Sequence, residues 1–208
     1  MPAAQPIPRP DARHDGRTAE ILASVRSAFA EKGFDGASMQ DLARAAGMSV
    51  GNFYRYFPSK AAIVEALIGL DLADMEADFL TVLQSATPML SLRELMRQRL
   101  HDKQTRADGQ LWAEITAASL RKPEICQAAC AMEAQIVAYL NRIFAAETGL
   151  SEAEIASRFP AHAAFAITMF KSAAMLPPGS DPIRDQLTAL IQRAIDQSMS
   201  EILAVSKA

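Results

Sequence analysis

The sequence predicts an all-α protein, and three observations carry that prediction. Apolar residues recur at three- and four-residue spacing through nearly every segment from Thr18 onward. Capping residues stand before those segments, and glycine or proline stands after them. No stretch alternates convincingly in the period-two manner of a strand. Together these divide the 208 residues into a three-helix head and a body of longer helices, about nine helices in all.

Composition sets the limits on function. Half of the residues are apolar and 22% are charged, which suits a globular chain with a sizeable core. The formal charge of −3 hides an asymmetry: residues 1–60 hold eight Lys/Arg against six Asp/Glu, and the remainder thirteen against eighteen. A mildly basic head on an acidic body fits a protein that touches a polyanion with one end. Two cysteines cannot build a disulfide framework. Without a secretory leader pattern or a bilayer-length apolar run, a cytoplasmic protein with no membrane partner is expected.

Residues 1–15 contain four prolines with Arg9, Arg13 and His14, and little to bury, so a disordered basic arm is expected. Arg13 or Arg17 could reach a phosphate or the minor groove from it, and Arg17, at the edge of the folded part, is the better candidate. The three-helix head is expected over 16–62 and the helical body over 63–208. A first helix over about 18–32 carries Ile21, Leu22, Val25, Ala28 and Phe29, and Gly33 ends it. Phe34, Gly36 and Ala37 lead into the motif. Ser38 and Asp41 are spaced as a capping box for the next helix, whose Leu42 and Ala46 share a face. Gly47 should stop that helix, where a positive φ is commonly needed. Ser49 caps another helix from Val50, with Phe53 and Phe57 at i and i+4 towards a core, and Pro58 closes it.

Further helices follow: 60–84, entered through Ser59 and interrupted by Gly69; 92–106, with Ser91 and Glu94 read as a capping box; and, after an Asp108-Gly109 turn, 110–120. Another covers 124–148 and ends at Gly149. Ser151 and Glu154 cap an eighth helix reaching Leu176, Pro177-Pro178-Gly179 forces a loop, and a ninth helix covers 182–205. The eighth helix carries small residues with Phe165, Met169 and Phe170. The ninth carries a near-heptad stripe through Ile183, Leu187, Leu190, Ile195, Met199 and Ile202, wide enough for core packing and for a partner.

A short capped helix with an apolar back and a front of Asn52, Tyr54, Arg55 and Tyr56 is what a major-groove reader needs. With Gly33-Phe34, Leu42-Ala43, Ala46-Gly47-Met48-Ser49, Phe53-Tyr54-Arg55-Tyr56-Phe57 and Ser59-Lys60, the stretch from Arg17 to Leu67 resembles the DNA-binding domain of TetR/AcrR-family transcriptional regulators. The resemblance implies backbone contacts from Ser38, Tyr54, Tyr56 and Lys60, and base-edge contacts from some of Gln40, Ser49, Val50, Gly51, Asn52 and Arg55. Asn52 and Gln40 suit adenine and Arg55 suits guanine. Lys60 stands at a helix N-terminus, an unfavourable place for a cation unless a phosphate joins it. The resemblance also implies dimerisation through the last two helices, a palindromic double-stranded operator, no enzymatic activity, and release of a repressor by an inducer held in the body.

The ten methionines and the body's aromatic residues suit an adaptable apolar cavity, so the inducer is expected to be small and largely hydrophobic. Trp112, Ile115, Thr116, Met132, Phe144, His162, Phe165 and Met169 are its candidate lining, and each is equally suited to core packing. The chain has no phosphate-binding loop, nucleophile elbow or HExxH, so no cofactor is expected. Cys126 and Cys130, four apart, could hold a soft metal or sense redox state, or could simply fill a packed face among Ala128, Ala129 and Ala131. The alternative to a stand-alone regulator is an interaction protein whose motif serves a larger DNA complex.

Overall fold

The structure is a computed structural model that describes residues 15–176 and 182–205. The expected arm, apart from Asp15, and the Pro177-Pro178-Gly179 loop lie outside the described residues. Among those described there are ten helices and no strand: α1 (Asp15–Gly36), α2 (Met39–Ala45), α3 (Val50–Tyr56), α4 (Lys60–Leu83), α5 (Pro88–His101), α6 (Lys103–Ser119), α7 (Pro123–Thr148), α8 (Glu152–Arg158), α9 (His162–Ala174) and α10 (Pro182–Val205). The chain forms two compact units: one runs to Asp74 and adds Gln110–Met132, and the other comprises Met75–Gly109 and Glu133 onward.

In the first unit α1 packs on α2 and α2 on α3. Helical geometry in α1 breaks at Gly33, at φ 70° and ψ 166°, a backbone state that costs glycine little and other residues much. The Glu114 carboxylate accepts a hydrogen bond from the Phe34 N–H at 3.0 Å, and a β-carbon on Gly33 would lie 2.9 Å from the same carboxylate. The apolar residues of the motif are then spent inward. Leu22, Val25, Phe29, Phe34, Leu42, Phe53 and Phe57 are buried as their spacing predicts, while Ala46 and Met48 are only half-buried. Ala43 is wholly enclosed as well. Each large side chain removed from water contributes about 1.5–3 kcal/mol.

The second unit departs from the sequence reading in three places. First, α5 begins at Pro88, not residue 92, and α6 begins at Lys103, so the break falls at Asp102 instead of Asp108-Gly109. Asp102 supplies the local signal, its carboxylate accepting from the Thr105 N–H at 3.2 Å. Gly109 is inside α6 and buried. A β-carbon there would collide with the Ala174 carbonyl, so this glycine permits a close helix approach instead of making a turn.

Second, Ser91 and Glu94 form no capping box. Ser91 lies inside α5 and hydrogen-bonds Ser85, while Glu94 holds Arg97 and Gln98. The start of α5 is satisfied by Glu147 of α7, which accepts from the Met89 N–H at 2.9 Å.

Third, the expected eighth helix is two helices, α8 and α9, parted at Phe159-Pro160. A proline disfavours helical geometry in the residue before it, and Phe159 adopts φ −127° and ψ 50°. The Ser151–Glu154 capping box forms as expected.

Helices α9 and α10 pack on each other and on α5. Their inner faces bury Ala163, Ala166, Ile167, Ile195, Met199 and Ile202. Their outer faces leave Phe165, Ile183, Leu187 and Leu190 exposed, at 36%, 70%, 38% and 54% respectively.

Candidate nucleic-acid interface

Two short helices of seven residues each are held by caps. Ser38 closes α2 reciprocally: its Oγ accepts from the Asp41 N–H at 3.1 Å, and the Asp41 carboxylate accepts from the Ser38 N–H at 3.0 Å. The Ser38 hydroxyl also donates to Asp41. Lys32 Nζ reaches Asp41 at 2.6 Å. That ammonium and the Ser38 donors hold the Asp41 carboxyl well below the usual carboxylate range. The turn after α2 uses Gly47 at φ 64°, with the Met48 N–H donating to the Ala43 carbonyl at 2.9 Å. Ser49 Oγ then accepts from the Asn52 N–H at 3.4 Å and starts α3.

With Phe53 wholly buried and its ring 5.6 Å from that of Phe57, the remaining face of α3 is left to solvent. Gly51, Asn52, Tyr54 and Arg55 are exposed, with Ser49 before them and Gln40 on α2. Val50 and Tyr56 are half-buried, the Tyr56 ring lying 6.4 Å from that of Phe57. The structure therefore presents Gln40, Ser49, Gly51, Asn52, Tyr54 and Arg55 outward on the two motif helices.

Three candidates have roles inside the fold. Ser38 donates a hydrogen bond from its hydroxyl to the Asp41 carboxylate and caps α2 by accepting from the Asp41 N–H. Arg17 pairs with Glu20 at 2.7 Å. Lys60 Nζ donates to the carbonyls of Phe34 and Asp35 at 2.7 and 3.3 Å and lies 4.9 Å from the centre of the Phe34 ring. Those carbonyls end α1, so Lys60 offsets the unfavourable dipole at its own helix by binding the negative end of another. Lys122 lies 5.5 Å from the same ring and 3.3 Å from Asp35. Arg121, at 3.1 Å, and then Lys122 hold the Asp35 carboxyl below its ordinary value. Together they fasten the joint between α1 and α2. Sequence reasoning passed over Arg44, whose side chain is 77% exposed at the end of α2. Its signal was available: it is the motif's other arginine, and the apolar face of α2 has no place for it.

The candidate ligand residues do not share one unit. Trp112, Ile115, Thr116 and Met132 fall in the first, and Phe144, His162, Phe165 and Met169 in the second. Ile115, Met132 and Phe144 are buried, while Trp112 and Met169 are half-buried. Exposed Thr116 donates to the Trp112 carbonyl. Phe165 is on the outer face of α9. His162 stands edge-on to Phe159, with Nε2 3.3 Å from Glu201.

The architecture is that of a helix-turn-helix protein: two capped helices, a polar outward face, and a longer helix entered through Ser59, whose Oγ accepts from the Ala62 N–H at 3.1 Å. The family model described as bacterial regulatory proteins, tetR family, matches residues 21–67. Over 81 residues, 38% of this chain and 37% of its relative, the sequence is 37% identical to the HTH-type transcriptional regulator EthR of Mycolicibacterium smegmatis. Over 107 residues, 50% of this chain and 53% of its relative, it is 31% identical to the HTH-type transcriptional regulator UidR of Escherichia coli. The chain thus spans about half or less of the length of these curated relatives. Among solved structures, Salmonella enterica GusR superposes with a TM-score of 0.68 at 21% identity, covering 88% of this chain and 95% of its own. The helix-turn-helix segment of this chain is thus similar to that of the TetR family of transcriptional regulators.

Proposed function

We propose that this chain is a dimeric repressor that binds a palindromic operator and is released by a small, largely hydrophobic inducer. The observation that carries the reading is the division of α3 into a buried aromatic back and an exposed front of Asn52, Tyr54 and Arg55. The match of residues 21–67 to the tetR family model supports DNA as the partner of that face. Exposed Phe165, Leu187 and Leu190 on the paired helices α9 and α10 support self-association, because a second copy would remove this apolar surface from water. Two heads on a two-fold axis would read half-sites roughly 34–36 Å apart. The inducer is assigned to the body, with Phe144, His162 and Met169 of the second unit as candidate contacts. Its binding would bias α4, which continues from the motif into the body, towards a state in which the heads no longer match the operator.

Footprinting on DNA upstream of the chain's own gene, with a salt titration, tests the reading. A protected two-fold-symmetric site whose affinity falls steeply with salt is expected. Asn52→Ala and Arg55→Ala should each cost about 1–3 kcal/mol at that site and relax its specificity. Lys60→Ala should weaken binding to every sequence and lower the salt slope if its ammonium meets a phosphate. An unchanged slope would confine Lys60 to the α1–α2 joint. Sequence-indifferent binding throughout would overturn the operator reading.

A further inference from the structure

We infer that Cys126 and Cys130 form a two-thiolate chelate for a thiophilic d10 cation of the zinc group, Zn2+ or Cd2+. The two residues stand one turn apart on α7, with their Sγ atoms 3.8 Å apart. Neither is sealed in the core: Cys126 is half-buried and Cys130 is exposed. The packed-face reading suggested by the neighbouring alanines therefore does not hold for the thiols. Only Ala128 of that set is buried, while Ala129 and Ala131 are half-buried.

The spacing selects the metal geometry. Tetrahedral coordination with metal–sulfur bonds of about 2.3 Å places two sulfurs about 3.8 Å apart, which is the separation already present. A linear two-coordinate ion would need its sulfurs a full two bond lengths apart, about 4.6 Å by the same bond length, and so would have to pry the pair open. Thiolates prefer soft cations over Mg2+ or Ca2+. Among the described residues no third His, Cys, Asp or Glu completes a cluster, so the remaining two positions fall to water or a small exogenous ligand. Binding is a plain exchange: two S–H bonds break, two metal–sulfur bonds form, and two protons pass to solvent with no change of oxidation state. The pair begins one turn beyond Lys122, which holds Asp35 at 3.3 Å, so the loaded site would adjoin the contacts that fasten the α1–α2 joint.

The test is a Cd2+ titration of the full chain, reduced with a phosphine and exchanged into metal-free buffer, read by the ultraviolet thiolate-to-cadmium charge-transfer band and repeated with Zn2+ in competition. One cadmium per chain with the band saturating is expected, and Zn2+ in large excess should displace it. Even changes around a ligand cost about 10–100-fold in metal affinity, so Cys126→Ser or Cys130→Ser should each weaken binding by more than about tenfold. Far-ultraviolet circular dichroism checks that each variant keeps its helices, and Cys130→Ser, at an exposed position, is the variant least exposed to a folding failure. No band, a band that survives in the double serine variant, or one metal per two chains would each overturn the chelate.

Discussion

The helix-turn-helix segment and the α5–α6 segment are built on opposite plans. In the first, each boundary is local: Ser38 with Asp41, Gly47, and Ser49 lie within a few residues of the turns they set. Helices of seven residues are too short to hold themselves, so each end needs a bonded partner. In the second, the start of α5 is satisfied by Glu147, 58 residues away, and Gly109 serves a close approach to Ala174. The comparison teaches that short exposed elements take their boundaries from local caps, while a longer helix can take a boundary partner from another helix.

The largest effect that would sharpen this contrast is at Phe53. Truncating it to alanine should cost about 3–5 kcal/mol and loosen α3, because this buried ring packs the helix onto the head. Chemical denaturation with the circular dichroism signal followed would show it, and a loss under about 1 kcal/mol would break the argument that burial orients the motif. Next comes Gly109→Ala. If the glycine is a packing device, a β-carbon there costs about 1–3 kcal/mol through overpacking. A stabilised variant would restore the turn reading. Gly69→Ala in α4 is the control, since nothing lies within 4 Å of its added β-carbon, and it should stabilise by about 0.5–1 kcal/mol through helix propensity alone. Midpoints for the two glycine variants should therefore move in opposite directions.

Caps come next in size. Ser38→Ala and Ser49→Ala should each lose about 1 kcal/mol, whereas Ser91→Ala, at a position that is not a cap, should lose less than Ser38→Ala in the same thermal melts. The smallest effects are in the acid titration. Arg97, then Gln98, hold the Glu94 carboxyl down from 4.5 to about 2, and the Ser151 N–H, then its hydroxyl, hold Glu154 below its ordinary value. Asp41 and Asp35 are lowered by their own partners in the first unit. All four have folded values below their unfolded ones. Their stabilisation is thus complete above the unfolded value and is lost as pH falls through the folded one. Stability should decline below pH about 4, and Asp41→Asn or Glu94→Gln should each flatten part of that decline. An unchanged acid limb would remove that carboxylate from the account.

Most of the motif was legible because its chemistry is local. The Ser38, Gly47 and Ser49 assignments required only hydrogen-bonding capacity and backbone freedom within a few residues. Outward presentation of Asn52, Tyr54 and Arg55 followed from Phe53 and Phe57 at i and i+4. Ser91-Glu94 had the right letters for a box, but a box forms only where a helix begins, and Pro88 is already suited to the first turn. Pro160 was a local signal that the continuous apolar run across it concealed.

By itself, then, the sequence determined the all-α class, the helix-turn-helix and the inward set of the head, because helical periodicity and capping are short-range. Only the tertiary structure decided that Lys60 binds the carbonyls at the end of α1, that Gly109 sits against Ala174, that Glu147 caps α5, and that the two cysteine sulfurs stand 3.8 Å apart outside the core. Each of those depends on which side chain meets which surface once the chain has packed, and no spacing along the chain contains that distance.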